Sequence, residues 1–545
     1  MTPPEPVSAP AAPSPPAGGS ASARLARSAG VVGAATLTSR VLGLVRDQVL
    51  AYLFGAGNAM DAFNVATRIP NLLRDLFAEG AMSAAFVPTF MRRLTNDGRA
   101  EAWRLGNQLL NALVTVTGGL VLCGMLFAEP LVRLLAGSFA EVPGKLELTV
   151  LLTRIMLPFL TLVAVAAALM GMLNSLNRFF VPALSPAMYN VGIILSGALL
   201  VPLMPGLGLE PIVAIAIGAL LGGLGQVALQ APVLHGEGFR YRAILDPLDP
   251  GLQHILRLMG PGTIAGAAVQ INLLVNMVLA TDQGTGAVSW LGYAFRVMYL
   301  PIGLFGVSIA AATLPVVSRH AARQELHGMR DAVSRALRLM LVVNVPATLA
   351  LMALGAPIVE LLFERGSFTA EDTAATAGAL LFYAPGLAGY AAVRIAVPCF
   401  YALGSSFTPT SISLAAVTLN IALNLVLVEL MGYRGLALGT SIAALANAVV
   451  LLAVLRRRLQ GLDLPRVLLA FAKIAAAAAA MGTAAWMTHE HLLDAWNGAG
   501  LVTRLGRVSA AIAAGVLVLA AAARILRIRE LEQVGRQVLG RLGRT

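Results

Sequence analysis

Only two cysteines stand in 545 residues, Cys123 and Cys399, and neither has a CxxC neighbour or a histidine at metal-ligand spacing. That excludes a disulfide framework, a zinc ribbon and dithiol chemistry, and leaves both as packing residues inside apolar stretches. Charge is scarce as well: 12% of residues are charged against 58% hydrophobic, and the mean hydropathy is +0.79. A soluble domain carries charge on about a quarter of its residues. There is no P-loop, no HExxH and no GxSxG in the chain, so neither an ATP-driven pump nor an enzyme is indicated, and no cofactor. His489 and His491 flank Glu490 in what reads as an exposed loop rather than a metal site. The opening "MTPPEPVSAPAAPSPPAGGS" has no basic start and no apolar core, and so reads as a disordered tail and not a signal peptide.

What the chain does have is apolar runs long enough to cross a hydrocarbon core of about 30 Å, repeated along nearly its whole length. Reading them between polar and Gly/Pro breaks gives about fourteen helices, centred near residues 42, 68, 115, 162, 192, 222, 269, 302, 348, 386, 418, 446, 477 and 512. The expected fold is an all-α polytopic membrane protein. The net charge of +12 is spread in short clusters between these runs, which is a topological pattern and not a nucleic-acid face. Alternate loops hold Arg92/Arg93/Arg99, Arg178, Arg240/Arg242, Arg319/Arg323/Arg330 and Arg456/Arg457/Arg458, while the opposite set holds little more than Lys145, Arg365 and Arg434. Positive loops stay cytoplasmic, so both termini are expected on the cytoplasmic side of the membrane.

Val49-Leu50-Ala51, followed by Gly55 and Gly57, reappears as Val278-Leu279-Ala280, followed by Gly284 and Gly286, at an offset of 229 residues. Six spans separate the copies, which gives them the same orientation and suggests two parallel lobes related by a pseudo-twofold axis. The organisation this implies is a tail at 1–27, a first lobe at 28–237, a second at 253–460, two added helices at 461–524 and a basic cytoplasmic tail at 525–545.

The stretch "SRVLGLVRDQVLAYLFG" at 39–55 puts Arg40, Arg46 and Asp47 inside an apolar helix. An unpaired arginine at mid-bilayer costs about 3 kcal/mol on insertion scales, so a partner or a purpose is required. Arg40 and Asp47 share one helix face, with Asp47 placed to hold Arg40, and Ser39 and Arg46 share another. The next span repeats the problem with Asp61, Arg68, Arg74, Asp75 and Glu79, and later spans add Arg296 and Arg394. Structural ion pairs such as Arg40 with Asp47 or Arg68 with Asp61 are one reading. The excess of arginine favours another, a cavity for an anion, and guanidinium groups suit phosphate oxygens. Transport of an anionic or lipid-linked phosphate compound follows, coupled to Na+, H+ or the membrane potential. For a cation the polar residues are Asn276, Asn420, Asn424 and Thr440; no carboxylate is among them, and helix-helix hydrogen bonding is the preferred role.

The stretch from Ser39 to Phe90, with "SLNRFFVPALSP", "GAVSWLGYAFRVMYLPIG" and "ALGSSFTPT", closely resembles the MurJ (MviN) family of lipid II flippases, within the multidrug/oligosaccharidyl-lipid/polysaccharide exporter superfamily. The resemblance implies fourteen helices, two lobes in a V and a lipid-tail groove formed by the last two helices. It implies substrate-binding arginines at Arg40, Arg46, Arg74 and Arg296, and acidic positions at Asp47, Asp61 and Glu79. Lipid II, the undecaprenyl-pyrophosphate-linked disaccharide pentapeptide, would be the cargo, and cell-wall polymerases are candidate partners. Some relatives use a sodium site in the second lobe, which Asn276 and Asn424 put in doubt here. Open alternatives are a flippase for another polyprenyl-linked glycan, a drug/cation antiporter, and a nontransporting cell-wall scaffold.

Overall fold

The computed structural model describes residues 19–77, 81–303, 307–496, 498, 500–528 and 530–531, and contains helices and no strand among them. Glu79 lies outside the described residues, as does most of each expected tail. The first half comprises α1 (Gly19–Phe54), α2 (Asn58–Phe77), α3 (Ala81–Asn96), α4 (Gly98–Leu126), α5 (Ala128–Leu135), α6 (Lys145–Met156), α7 (Phe159–Ser175), α8 (Phe180–Leu184), α9 (Ala187–Leu199) and α10 (Val213–Gly236). The second comprises α11 (Pro250–Thr281), α12 (Ala287–Pro301), α13 (Val307–Ala322), α14 (Leu326–Phe363), α15 (Ala370–Tyr383), α16 (Gly386–Ala402), α17 (Phe407–Met431) and α18 (Tyr433–Arg458), followed by α19 (Leu464–Ala495) and α20 (Leu501–Ile525). Helix α1 begins inside the stretch expected as a tail, where Ala21, Ala23, Leu25 and Ala26 are good helix formers.

Eight helices are long and apolar enough to cross a membrane alone, and two bent pairs, broken by 40° and 46°, bring the number to ten. The remaining spans of the about fourteen expected are α1, α2 with α3, α11, and α12 with α13. Three of these carry the interior charges. A span that lines a protein-enclosed space can afford polarity that a lipid-facing one cannot.

The helix order runs twice through one pattern: long, broken, long, broken, then two more. A matching contact recurs in each copy. The first turn of α2 meets the start of α6, where Asp61 accepts from Lys145 at 3.0 Å, and the first turn of α12 meets the start of α15, where the Trp290 indole donates to Asp372 at 2.8 Å. The chemistry differs while the packing repeats.

Helix α11, which opens the expected second lobe at 253–460, packs on both lobes. Leu252, Ile255 and Met259 of α11 are buried with Phe86, Phe90, Leu105 and Met172 of the first lobe, and Met277 is buried with Val65 and Val132. Further along, Asn276 reaches α17 of the second lobe. An apolar stripe on α11 that the first lobe can cover overrides connectivity. Helix α14 carries the added pair: Ile474 and Ala477 pack with Val342 and Val345, Arg338 pairs with Glu530 at 2.7 Å, and Arg504 pairs with Glu360 and Glu364 at 3.1 Å each. His489, expected in an exposed loop, is 4% exposed, because α19 continues to Ala495.

Candidate functional site

Two of the interior arginines converge on one carboxylate oxygen. Asp47 Oδ1 on α1 accepts from Arg46 Nη2 at 2.7 Å and Nε at 3.0 Å, and from Arg296 Nη1 on α12 at 3.1 Å. The two guanidinium groups thus come from opposite lobes. Arg46 Nη1 continues to Asn190 Oδ1 at 3.1 Å, and the Asn190 amide donates to the Ser39 carbonyl at 3.1 Å, fixing α9 against α1. Tyrosine rings flank both cations, Tyr189 at 5.6 Å from Arg46 and Tyr293 at 5.6 Å from Arg296, within cation–π range. Two cations share one anion, so the node keeps a positive surplus. Asp47 is buried, while the Arg296 side chain is 37% exposed and can be reached. The expectation that Asp47 holds Arg40 is not met: Asp47 is taken by Arg46 and Arg296, and Arg40 is exposed, its guanidinium lying against Gly303 of the other lobe.

Farther along α2, Arg68 Nη2 donates to Gln270 Oε1 at 2.8 Å, Gln270 donates to Asp75 Oδ2 at 3.1 Å, and Arg74 donates to Asp75 Oδ1 at 2.7 Å. Two arginines again face one carboxylate, with Gln270 of α11 as relay. Arg394 bonds the Tyr299 hydroxyl one turn beyond Arg296, beside the stacked rings of Phe295 and Tyr299.

Asp61 belongs elsewhere. It is fully buried, and besides Lys145 it accepts from Gly286 N at 2.7 Å, Ser289 N at 3.2 Å and Ser289 Oγ at 2.7 Å. Its carboxylate therefore sits on the N-terminus of α12 in the opposite lobe, where unpaired N–H groups and the helix dipole favour an anion. It does not meet Arg68. Near it, Thr285 donates to Asn58 at 2.9 Å, and the 364–369 turn closes on the end of α1, with Ser367 N on the Tyr52 carbonyl at 2.9 Å and Ser367 Oγ on the Leu53 carbonyl at 3.1 Å. Gly366 and Gly55, both at positive φ, allow the two backbones to touch. This end of the interlobe space is latched shut. At the other end, of residues 33–45 on α1 only Ala35 is buried.

A family model described as "Lipid II flippase MurJ" matches residues 50–505. The chain belongs to the MurJ family. Among curated members, a "Probable lipid II flippase MurJ" of Vibrio cholerae is 36% identical over 510 residues, covering 91% of this chain and 95% of that protein. A "Lipid II flippase MurJ" of Burkholderia cenocepacia is 33% identical over 427 residues, covering 78% and 82%. A solved structure titled "Lipid II flippase MurJ, inward closed conformation" superposes with a TM-score of 0.75 at 26% identity, over 92% of this chain and 99% of that one. An inward-facing MATE transporter of the MOP superfamily, 16% identical, matches at 0.65 over 79% and 98%, a likeness of fold alone. The protein is thus a multi-pass, all-α membrane protein of a transporter family.

In this MurJ-family member the polar residues of the second lobe also meet. Asn424 donates to Asn276 Oδ1 at 2.6 Å, Asn276 to Asn420 Oδ1 at 3.3 Å, and Asn420 approaches Thr440 Oγ1 at 3.5 Å, while Thr440 donates to the Leu436 carbonyl. The amides satisfy one another and leave a single unpartnered oxygen, Asn424 Oδ1. A hard cation takes several oxygens, and no carboxylate stands among these. Sequence reading missed Asn190, Tyr189, Gln270 and Lys145 as parts of these networks. For Lys145 a signal exists: it is one of two lysines in the chain, and although its sequence position is that of a loop charge, it is 3% exposed.

Proposed function

We propose that this chain moves lipid II from the cytoplasmic to the outer leaflet of the bacterial inner membrane by alternating access, without chemistry on its cargo. One observation carries the reading: two guanidinium groups from opposite lobes share the single carboxylate Asp47. A pyrophosphate offers more oxygens and more charge than one carboxylate, so it can take Arg46 and Arg296 from Asp47 and bridge the lobes itself. Arg40 and Arg74 add positive charge along the entry, and the polyprenyl chain stays in lipid beside α19 and α20. The latch at Asp61 and Ser367 must then part while the arginine end closes. The arginine-rich loops orient both termini to the cytoplasm, so the latched end faces outward. Release there supplies cell-wall polymerases.

The asparagine cluster acts as hydrogen-bonded packing among α11, α17 and α18, and the energy source is the membrane potential. Each negative charge carried outward through an inside-negative potential gains about 2.3 kcal/mol per 100 mV. An export step for an anion needs no ion site.

The test is a lipid II accessibility assay in proteoliposomes, with and without an imposed potential. Arg46→Ala and Arg296→Ala each remove charge-assisted bonds worth about 1.5–3 kcal/mol, so flipping should fall about tenfold or more in either variant while the protein still inserts in the membrane. Wild-type flipping by both variants overturns the clamp, and an absence of lipid II movement by the wild-type protein at any potential overturns the function.

A further inference from the structure

The segment 237–249, which joins α10 to α11, is not a free loop. Two asparagines one turn apart on α4 grip its backbone: Asn107 accepts from Arg242 N at 2.8 Å and donates to the Arg240 carbonyl at 3.0 Å, and Asn111 donates to the Arg242 and Ile244 carbonyls at 2.8 and 2.9 Å. The Tyr241 hydroxyl donates back to Asn111 at 2.7 Å. Between this ribbon and α4 lies a cavity of about 510 Å3 lined by Glu101, Trp103, Arg104, Arg240 and Arg242 among others. Glu101 is answered by Arg93 at 3.7 Å, and Arg240 is held by the His235 and Phe239 carbonyls. Arg104 and Arg242 are both exposed at its rim.

The depth of the cavity is informative. Charged residues of α4 end at Arg104, and the helix then runs without charge to Leu126, with Val114, Val116, Leu120 and Leu122 exposed. Tyr241, Leu245 and Leu248 of the ribbon are exposed beside the arginines. Cations and an indole at the cavity, with apolar side chains farther along the same helix, are what the headgroup and acyl chains of a lipid would meet. We infer that this cavity binds the phosphate headgroup of an anionic phospholipid from the leaflet facing the arginine-rich loops, with Arg104 and Arg242 as its phosphate ligands. The site is separate from the Asp47 node, and its occupant is a resident lipid, not cargo.

The test uses the full chain in detergent, with retention of phosphatidylglycerol measured by native mass spectrometry. An Arg104→Gln, Arg242→Gln double variant should bind its tightest phosphatidylglycerol about thirtyfold more weakly, because each basic residue near a membrane surface is worth about fivefold. Phosphatidylcholine should not compete, and inorganic phosphate at millimolar concentration should not displace the lipid. An Arg46→Gln variant, which alters only the interlobe node, should keep that lipid. Unchanged retention in the double variant overturns the proposal, as does loss of the lipid in Arg46→Gln alone or displacement by inorganic phosphate. Should the double variant fail to fold, Arg242→Gln alone, in a ribbon held through its backbone, should still weaken binding about fivefold, and no change there has the same meaning. Lipid II flipping in the same variants is read separately, so failure here leaves the function assigned above untouched.

Discussion

Asp47 and Asp61 are the same residue type on neighbouring helices, both bridge the two lobes, and they do different work. Asp47 lies among arginines that can be reached from the interlobe space, and its partners outnumber it. Asp61 is sealed, matched by one lysine and seated on a helix N-terminus that completes its hydrogen bonding. A buried charge with every lone pair answered is architecture, whereas one with contested partners can exchange them for a ligand.

Breaking Asp61 should therefore do the most damage. Asp61→Ala strands Lys145 in the interior, and removing one partner of a buried pair costs about 3–5 kcal/mol. The expected outcome is a large loss of melting temperature and of monodisperse protein in detergent. Adding Lys145→Met should recover much of that stability without restoring the interlobe bonds to Gly286 and Ser289. If the single variant melts like wild type, Asp61 is not the keystone described.

The contrast also shows what a membrane sequence makes legible. Hydropathy marks the spans, and the cost of interior charge points to Arg40, Arg46, Arg68, Arg74, Arg296 and Arg394 alike before any partner is known. Partners are another matter. A helical repeat assigns Asp47 a face, but the guanidinium that occupies the face comes from a residue 249 positions away. Arg46, its immediate neighbour, folds back onto it where the seven-residue spacing favoured Arg40. Lys145 reads as a loop charge because it begins its helix, and the fold buries it beneath the Phe139 ring, 4.0 Å from the ring centre. The docking of α11 on the first lobe is invisible for the same reason: an apolar stripe declares that it will be covered, not by what.

A subtler change sharpens the comparison from the other side. Asp47→Asn keeps the shape of the side chain and removes the charge that competes with cargo for Arg46 and Arg296. Binding of undecaprenyl pyrophosphate should tighten by about tenfold, in line with one charge-assisted bond no longer displaced, while flipping slows because the lobes lose the anion that recaptures the arginines after release. Melting should stay near wild type. Weaker binding, or a collapse like that of Asp61→Ala, would place Asp47 with the architecture.

The smallest effect is expected where the latch is redundant. Ser367 offers α1 two bonds, and Ser367→Ala removes only the one from Oγ to the Leu53 carbonyl, leaving its N–H on Tyr52. A hydrogen bond of this kind is worth about 0.5–1.5 kcal/mol net, so the latched state should lose about two- to tenfold in population. Ala56 is 2% exposed at the shut end, so a cysteine placed there reports opening. In a background without Cys123 and Cys399, an impermeant thiol reagent should label Ala56→Cys faster by that factor when Ser367 is alanine. Equal labelling rates would mean that Asp61 and its helix hold the outer end without help from the turn, and that the second lobe reaches α1 there by proximity alone.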